Sequence, residues 1–198
     1  MNGRDSILEA AEEIFVEKGF SGASMSAIAE KAGVAKSLIY HHFESKEDLW
    51  KEVIQHRFSM ADLIEKLYQT ISKKSAGSLV DIVAGRDGFF EFLKRNPGMV
   101  RMMTWLNLEG SGPAPGPKDL QRKVIGVITR MMEGGRLRSD LDPAVLPILF
   151  MSICTHWFAA KWDFRDWFDS SLGEEELDRR YIEGAMDIIL RGILPDED

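Results

Sequence analysis

The chain has 198 residues, 44% of them hydrophobic and 29% charged, which is the make-up of an ordinary soluble globule with enough chain to bury a core unaided. Its net charge of −7 weighs against nucleic acid as a partner for the chain as a whole, so a phosphate-binding surface would have to be local. One cysteine, Cys154, excludes an internal disulfide and a cysteine metal framework, and fits a reducing cytoplasm.

In chain order, the first twenty residues carry Asp5, Glu9, Glu12, Glu13 and Glu17, so no signal or transit peptide is expected. Ile7, Leu8, Ala11, Ile14 and Phe15 recur at helical spacing, and Gly19 supplies a stop. After the polar link Ser21 to Ser24, the apolar positions Met25, Ile28, Ala29 and Ala32 predict a short helix ending at Gly33. A second short helix is expected from about Ala35 to Phe43. Ser45 with Asp48 resembles a capping box and opens a longer helix, to about Thr70, carrying Leu49, Val53, Ile54, Phe58, Leu63, Ile64 and Leu67.

A glycine and serine break at 75–78 precedes a helix to about Arg95, and Asn96-Pro97 opens the next, with Met99, Met102, Met103 and Leu106. "GSGPAPGP" at 110–117 reads as a loop. A helix from about Asp119 to Glu133, the turn "GGRLRSDLDP", and helices over about 143–168 and 174–192 complete the chain, with Pro147 implying a kink or a later start. The uncharged run "PAVLPILFMSICTHWFAA" at 143–160 reaches only the lower edge of membrane-spanning length, and its two prolines and polar residues favour a buried helix. There is no alternating strand pattern and no internal repeat. The fold class is all-α, with a small N-terminal piece, 1–47, and a larger remainder, 48–198.

The stretch "IAEKAGVAKSLIYHHFESKEDLW" poses the functional question. Adjacent helical residues point roughly 100° apart, so His41 and His42 do not grip one metal ion. The positions one turn from His41 supply only Glu44 as a further ligand, so no metal is expected. Nothing pairs a nucleophile with a base. Gly19 to Ala23 falls one glycine and one strand short of a nucleophile elbow, and "GSGPAP" lacks the pattern of a dinucleotide loop. The expectation is a protein without a cofactor that is not an enzyme.

Sorting 25–43 by face leaves Met25, Ile28, Ala29, Ala32, Val34, Ile39 and Phe43 as one apolar seam across two short helices joined at Gly33, which is helix-turn-helix geometry. Lys36 with Tyr40, and Ser37 with His41, then form an outward face of hydrogen-bond donors suited to a major groove. His42 and Lys46 flank it where phosphates would run, and Ser24 caps a helix N-terminus that is a natural phosphate seat. A solvated polar surface is the plain alternative.

The run "GFSGASMSAIAEKAGVAKSLIYHHFESKEDLW" resembles the DNA-binding domain of the tetracycline-repressor (TetR) family of bacterial transcription regulators, from about Ile7 to Trp50. Ala11, Phe15, Ile28-Ala29, Ala32-Gly33-Val34, Tyr40-His41-His42-Phe43 and Ser45-Lys46-Glu47 carry the likeness. The resemblance implies that Ser24, Tyr40, His42 and Lys46 hold phosphates, while Lys36, Ser37 and His41 approach bases. Three positions depart from the family: Ala35 where a capping hydroxyl is usual, Ser37 where glycine is common, and Leu38 where threonine is common. Leu38, if it leans outward, could meet a thymine methyl. The resemblance also implies C-terminal helices that form a ligand chamber and a two-fold dimer interface.

The residues point the same way. The last helix is apolar on two sides, with Tyr181, Ala185 and Ile188 on one and Ile182, Met186, Ile189 and Ile193 on the other. A monomer needs one such stripe, so the second suggests a partner. The helix before it repeats the feature, with Leu146, Leu149, Phe150, Ile153 and Trp157 on one face and Met151, Thr155 and Phe158 beside it. Phe90, Leu93, Met103, Leu106, Met131, Phe150, Cys154 and Trp157 are candidates to line a chamber for a flexible apolar ligand, with plain core packing as the alternative and His156 as a polar handle.

The expectation is a cytoplasmic, homodimeric, ligand-responsive repressor that binds double-stranded DNA at an inverted-repeat operator. The alternative is a small-molecule sequestering protein with a vestigial reader. The residues leave open the effector, the operator and the choice between repression and activation.

Overall fold

The computed structural model describes residues 3–57, 85, 88–110 and 118–195. Among these every regular element is helical: α1 (Gly3–Gly22), α2 (Met25–Ala32), α3 (Lys36–His42), α4 (Lys46–Arg57), α5 (Phe89–Arg95), α6 (Pro97–Glu109), α7 (Lys118–Glu133), α8 (Val145–Ala160), a 3-10 turn (Arg165–Trp167) and α9 (Glu174–Ile193). The expected positions Phe58, Leu63, Ile64 and Leu67, the 75–78 break and most of the 110–117 loop lie outside the described residues. No helix among the described residues is long and apolar enough to cross a membrane.

The chain forms two compact units, one of residues 1–62 with 96–115 and the other of residues 63–95 with 116–198. In the first, α1 buries Ile7, Leu8, Ala11, Ile14 and Phe15. The helix stops at Gly19 as expected, at φ 72 and ψ −177, and a further short turn runs to Gly22. That conformation is essentially open to glycine alone, because a Cβ would meet the backbone. α2 begins at Ser24, whose Oγ accepts the Ala27 N–H at 3.1 Å. It ends at Gly33, left-handed at φ 67, where the Gly33 and Val34 N–H groups return to the Glu30 and Ala29 carbonyls.

α4 opens on the expected cap in a shifted form. The Ser45 hydroxyl accepts the Asp48 N–H at 3.0 Å, and the Asp48 carboxylate accepts the N–H of Glu44 rather than of Ser45. Leu49, Trp50 and Val53 are fully buried, and Phe15 and Phe20 pack edge-on to Trp50 at 4.9 and 5.5 Å between ring centroids. The unit is completed by α6, far along the chain, which lies on α1.

In the second unit α8 begins at Val145, two residues past Pro143. It buries Leu146, Phe150, Cys154 and Trp157, while Leu149, expected on the same face, is exposed. α9 buries Ile182, Met186, Ile189 and Ile193. Of its second apolar stripe, Tyr181 is half-buried with its hydroxyl on the Ile153 carbonyl, Ala185 is half-buried, and only Ile188, 73% exposed, is left uncovered within the unit. The helices meet at a buried ionic group. The Lys161 ammonium reaches Glu174 at 2.6 Å and Asp178 at 3.2 Å, and Asp178 also accepts the Trp157 indole N–H at 2.7 Å. Asp178 is almost completely buried, and with these two donors its charge is matched, as burial demands. The "GGRLRSDLDP" turn closes against the far end of α9, where Arg138 donates from its backbone to the Ile193 carbonyl and from its guanidinium to the Gly192 carbonyl.

Candidate nucleic-acid interface

The site is built on α3, seven residues long and held by one side. Ile39 and Phe43 are buried, and Met25, Ile28 and Ala29 of α2 are buried with them, as the apolar seam predicts. A short helix gains little from its own hydrogen bonds, so this packing is what keeps it folded. The opposite side faces solvent: Lys36, Ser37, Tyr40, His41 and His42 are all exposed, Tyr40 by 51%.

Within that face the Lys36 ammonium lies 5.9 Å from the centroid of the Tyr40 ring. The rings of His41 and His42 meet edge-on at 5.2 Å. Ala35 caps α3 with no side-chain bond, so the hydroxyl common at that position has no substitute here. Leu38 is half-buried and leans onto the start of α1, its Cδ2 3.4 Å from where a Cβ on Gly3 would stand. It therefore turns away from the face on which a thymine methyl would be met.

Ser24 is exposed, and with its Oγ lone pair committed to Ala27 it keeps its O–H to donate. Lys46 is half-buried and bridges the end of α1, donating to the Phe20 carbonyl at 2.7 Å and the Ala23 carbonyl at 3.0 Å, with its ammonium 4.5 Å from the centre of the Phe20 ring. An ammonium has three N–H donors, so one remains for a phosphate. Lys31, part of the same basic stretch, pairs with Glu13 at 2.5 Å. That hydrogen bond raises its pKa above the usual lysine value and uses its charge inside the unit.

Two residues at this site had no local signal in the sequence. The Trp105 indole of α6 donates to the Val16 carbonyl at 3.2 Å. The Glu109 carboxylate accepts from the backbone N–H and the hydroxyl of Ser21 at 2.9 to 3.1 Å. Gly19 makes room for both, since a Cβ there would lie 2.4 Å from a Glu109 oxygen and 2.9 Å from the Trp105 ring.

The chamber candidates divide between the units. Met103 and Leu106 are half-buried on α6 in the first unit, whereas Phe90, Leu93, Met131, Phe150, Cys154 and Trp157 are buried in the second. There Trp157 stacks on Tyr181 at 4.0 Å and Phe90 packs against Phe158 at 4.7 Å. His156 is exposed, its ring 5.7 Å from Phe164, and so is not a handle inside that cluster. Burial pushes the Cys154 thiol up to about 12.

Residues 7–53, about a quarter of the chain, match the family of bacterial regulatory proteins described as the tetR family. Over 197 residues the chain is 23% identical to the HTH-type transcriptional repressor NicS of Pseudomonas putida, covering 96% of this chain and 92% of that protein. It is 28% identical to the A-factor receptor protein of Streptomyces griseus over 75% of this chain, spanning 49% of that receptor's length. A solved TetR family transcription regulator from Marinobacter aquaeolei shares the fold with a TM-score of 0.66 and 16% identity, covering 98% of this chain and 96% of that one. With its helix-turn-helix and this match, residues 7–53 form a DNA-binding domain of the TetR family of bacterial transcription regulators, and the all-helical chain as a whole is similar to proteins of that kind.

Proposed function

We propose that the chain is a cytoplasmic, homodimeric repressor that reads an inverted-repeat DNA operator and leaves it when a small apolar or aromatic molecule binds. The observation that carries this reading is the exposed donor face of α3, backed by the buried Met25, Ile28, Ala29, Ile39 and Phe43. Lys36, Ser37 and His41 approach base edges; Ser24, Tyr40, His42 and the remaining N–H of Lys46 take phosphates. Residues 1–47 form the reader and 48–198 the effector and dimerisation region.

Dimerisation is assigned to α8 and α9. Val145, Ile148, Leu149 and Met151 of α8 and Ile188 of α9 are exposed apolar side chains in the second unit. Gly184 and Gly192, one helical turn to either side of Ile188, have open space where a Cβ would be, so a partner helix can approach closely. Two linked readers gain effective concentration on a two-part site, with recognition helices about 34–36 Å apart. An effector seated among the buried aromatic and Met side chains of the second unit, and favouring a different separation, lowers DNA affinity by its differential binding. Likeness to a repressor and to a receptor protein supports this arrangement.

Selection of randomised duplex DNA on the purified chain at two salt concentrations tests the reading. The expected result is an inverted repeat whose affinity falls steeply with salt. Absence of enrichment at both concentrations would overturn it.

A further inference from the structure

Glu109 lies in the last turn of α6, 88 residues from Ser21, yet its two carboxylate oxygens accept the Ser21 N–H at 3.0 and 3.1 Å and its hydroxyl at 2.9 Å. Only Ala23 and Ser24 separate the end of α1 at Gly22 from the start of α2 at Met25. From Ser21 to Met25 is four residue steps, at most about 14 Å, so whatever fixes Ser21 limits where α2 begins. The backbone at Gly19 is not helical, so α1 does not guide the chain rigidly into this link.

The link is instead held from two sides. Glu109 grips Ser21 from α6, and Lys46 grips the Phe20 and Ala23 carbonyls from α4. The Trp105 bond to the Val16 carbonyl sets α6 on α1 one turn earlier. We propose that Glu109 is a positioning residue for DNA binding. By holding Ser21 it sets the N-terminal end of α2, so that the Ser24 hydroxyl meets phosphate in register with the base-facing side chains of α3. This rests on the DNA-reading assignment made above.

The proposal has an unusual sign. A carboxylate beside a phosphate-binding surface repels DNA, and removing it tightens binding if charge alone matters. A positioning role has removal weaken binding instead. The probe is a duplex enriched from randomised DNA by the wild-type chain, titrated over a salt series.

Glu109→Ala is expected to bind roughly tenfold more weakly, on the scale of one lost charge-assisted hydrogen bond. Its salt slope is expected to stay close to that of the wild type, because the Ser24 hydroxyl is neutral and releases no counterion. Glu109→Gln keeps an acceptor for the Ser21 N–H and is expected to stay within roughly threefold of wild type, although it loses the same charge. Hydrogen exchange is expected to quicken over residues 21–28 in Glu109→Ala and to stay unchanged over 7–15.

Equal or tighter binding by both variants would overturn the proposal in favour of simple repulsion. Weaker binding with exchange quickened over 7–15 as well would overturn it in favour of general destabilisation. Where Glu109→Ala does not fold, the exposed Ser21→Ala carries the test, with a roughly twofold to threefold loss expected from its single missing bond. Unaltered affinity there would overturn the proposal too. If the wild type enriches no DNA, the assignment of the reader fails and this proposal with it; enrichment by the wild type with an unaltered Glu109→Ala overturns the proposal alone.

Discussion

Lys36 stands exposed at the start of α3 with its ammonium near the Tyr40 ring, while Lys46, ten positions on, spends two of its donors on backbone carbonyls. Equal charges in such different surroundings should fail differently. Lys36→Ala is expected to relax base preference at one position, a loss of about 1–3 kcal/mol of discrimination, with the fold untouched. Lys46→Ala is expected to weaken all sequences alike, to flatten the salt slope, and also to lower the melting temperature, because the Phe20 and Ala23 carbonyls lose their donor. Parallel DNA selection and thermal melts separate the two. Cys154 gives a pH test in the second unit. Its thiol is held up to about 12 by burial, against an unfolded value of about 8.5, so the folded chain keeps the proton over that interval. Stability is therefore full below about pH 8.5 and falls as pH rises from there towards 12, and the native thiol should resist alkylation at pH 8 until the chain unfolds. Cys154→Ala should lessen that alkaline loss, which chemical denaturation across the pH range would measure.

At the scale of the helices, two glycines with nearly equal φ make a contrast. Gly33, at φ 67, has nothing near the position of a Cβ, so Gly33→Ala carries only the left-handed strain, about 1–2 kcal/mol. Gly19, at φ 72, combines a glycine-only conformation with α6 atoms inside van der Waals distance, so Gly19→Ala should cost more than Gly33→Ala and displace α6. Equal melting temperatures for the two variants would refute the close approach. These helices also show what can be read without coordinates. α2 and α3 were legible because a cap, a left-handed glycine and an apolar seam are all local signals, and their residues lie within twenty positions of each other. Gly19 was half legible: its glycine marks the stop, but periodicity carries no trace of Glu109 and Trp105 of α6, which lie where its Cβ would stand. Leu149 failed for a related reason. Its spacing matched the buried face of α8, yet it lies at the edge of that face, where a few tens of degrees decide between core and solvent.

For the whole molecule, the proposed dimer is tested at the exposed Ile188. Ile188→Glu is expected to leave a folded monomer, since nothing within the unit covers that side chain. Sedimentation equilibrium should show the change in mass, and affinity for a two-part site should fall by roughly 10²–10⁴-fold as effective concentration is lost. A variant that stays dimeric would move the interface elsewhere. The all-helical build was legible, but not that α6 folds with the N-terminal helices, because Trp105 and Glu109 look like ordinary members of an amphipathic helix. That placement bears on how such a protein can be remade by recombination. A crossover just after α4 would hand a new effector region a reader whose Val16 carbonyl and Ser21 amide had been matched to someone else's helix. A hybrid gene would keep every DNA-facing residue and still inherit a loosened grip, until substitutions at the positions of Trp105 and Glu109 restored the fit. The reader is heritable as a block only together with a short stretch of chain encoded some fifty codons further on.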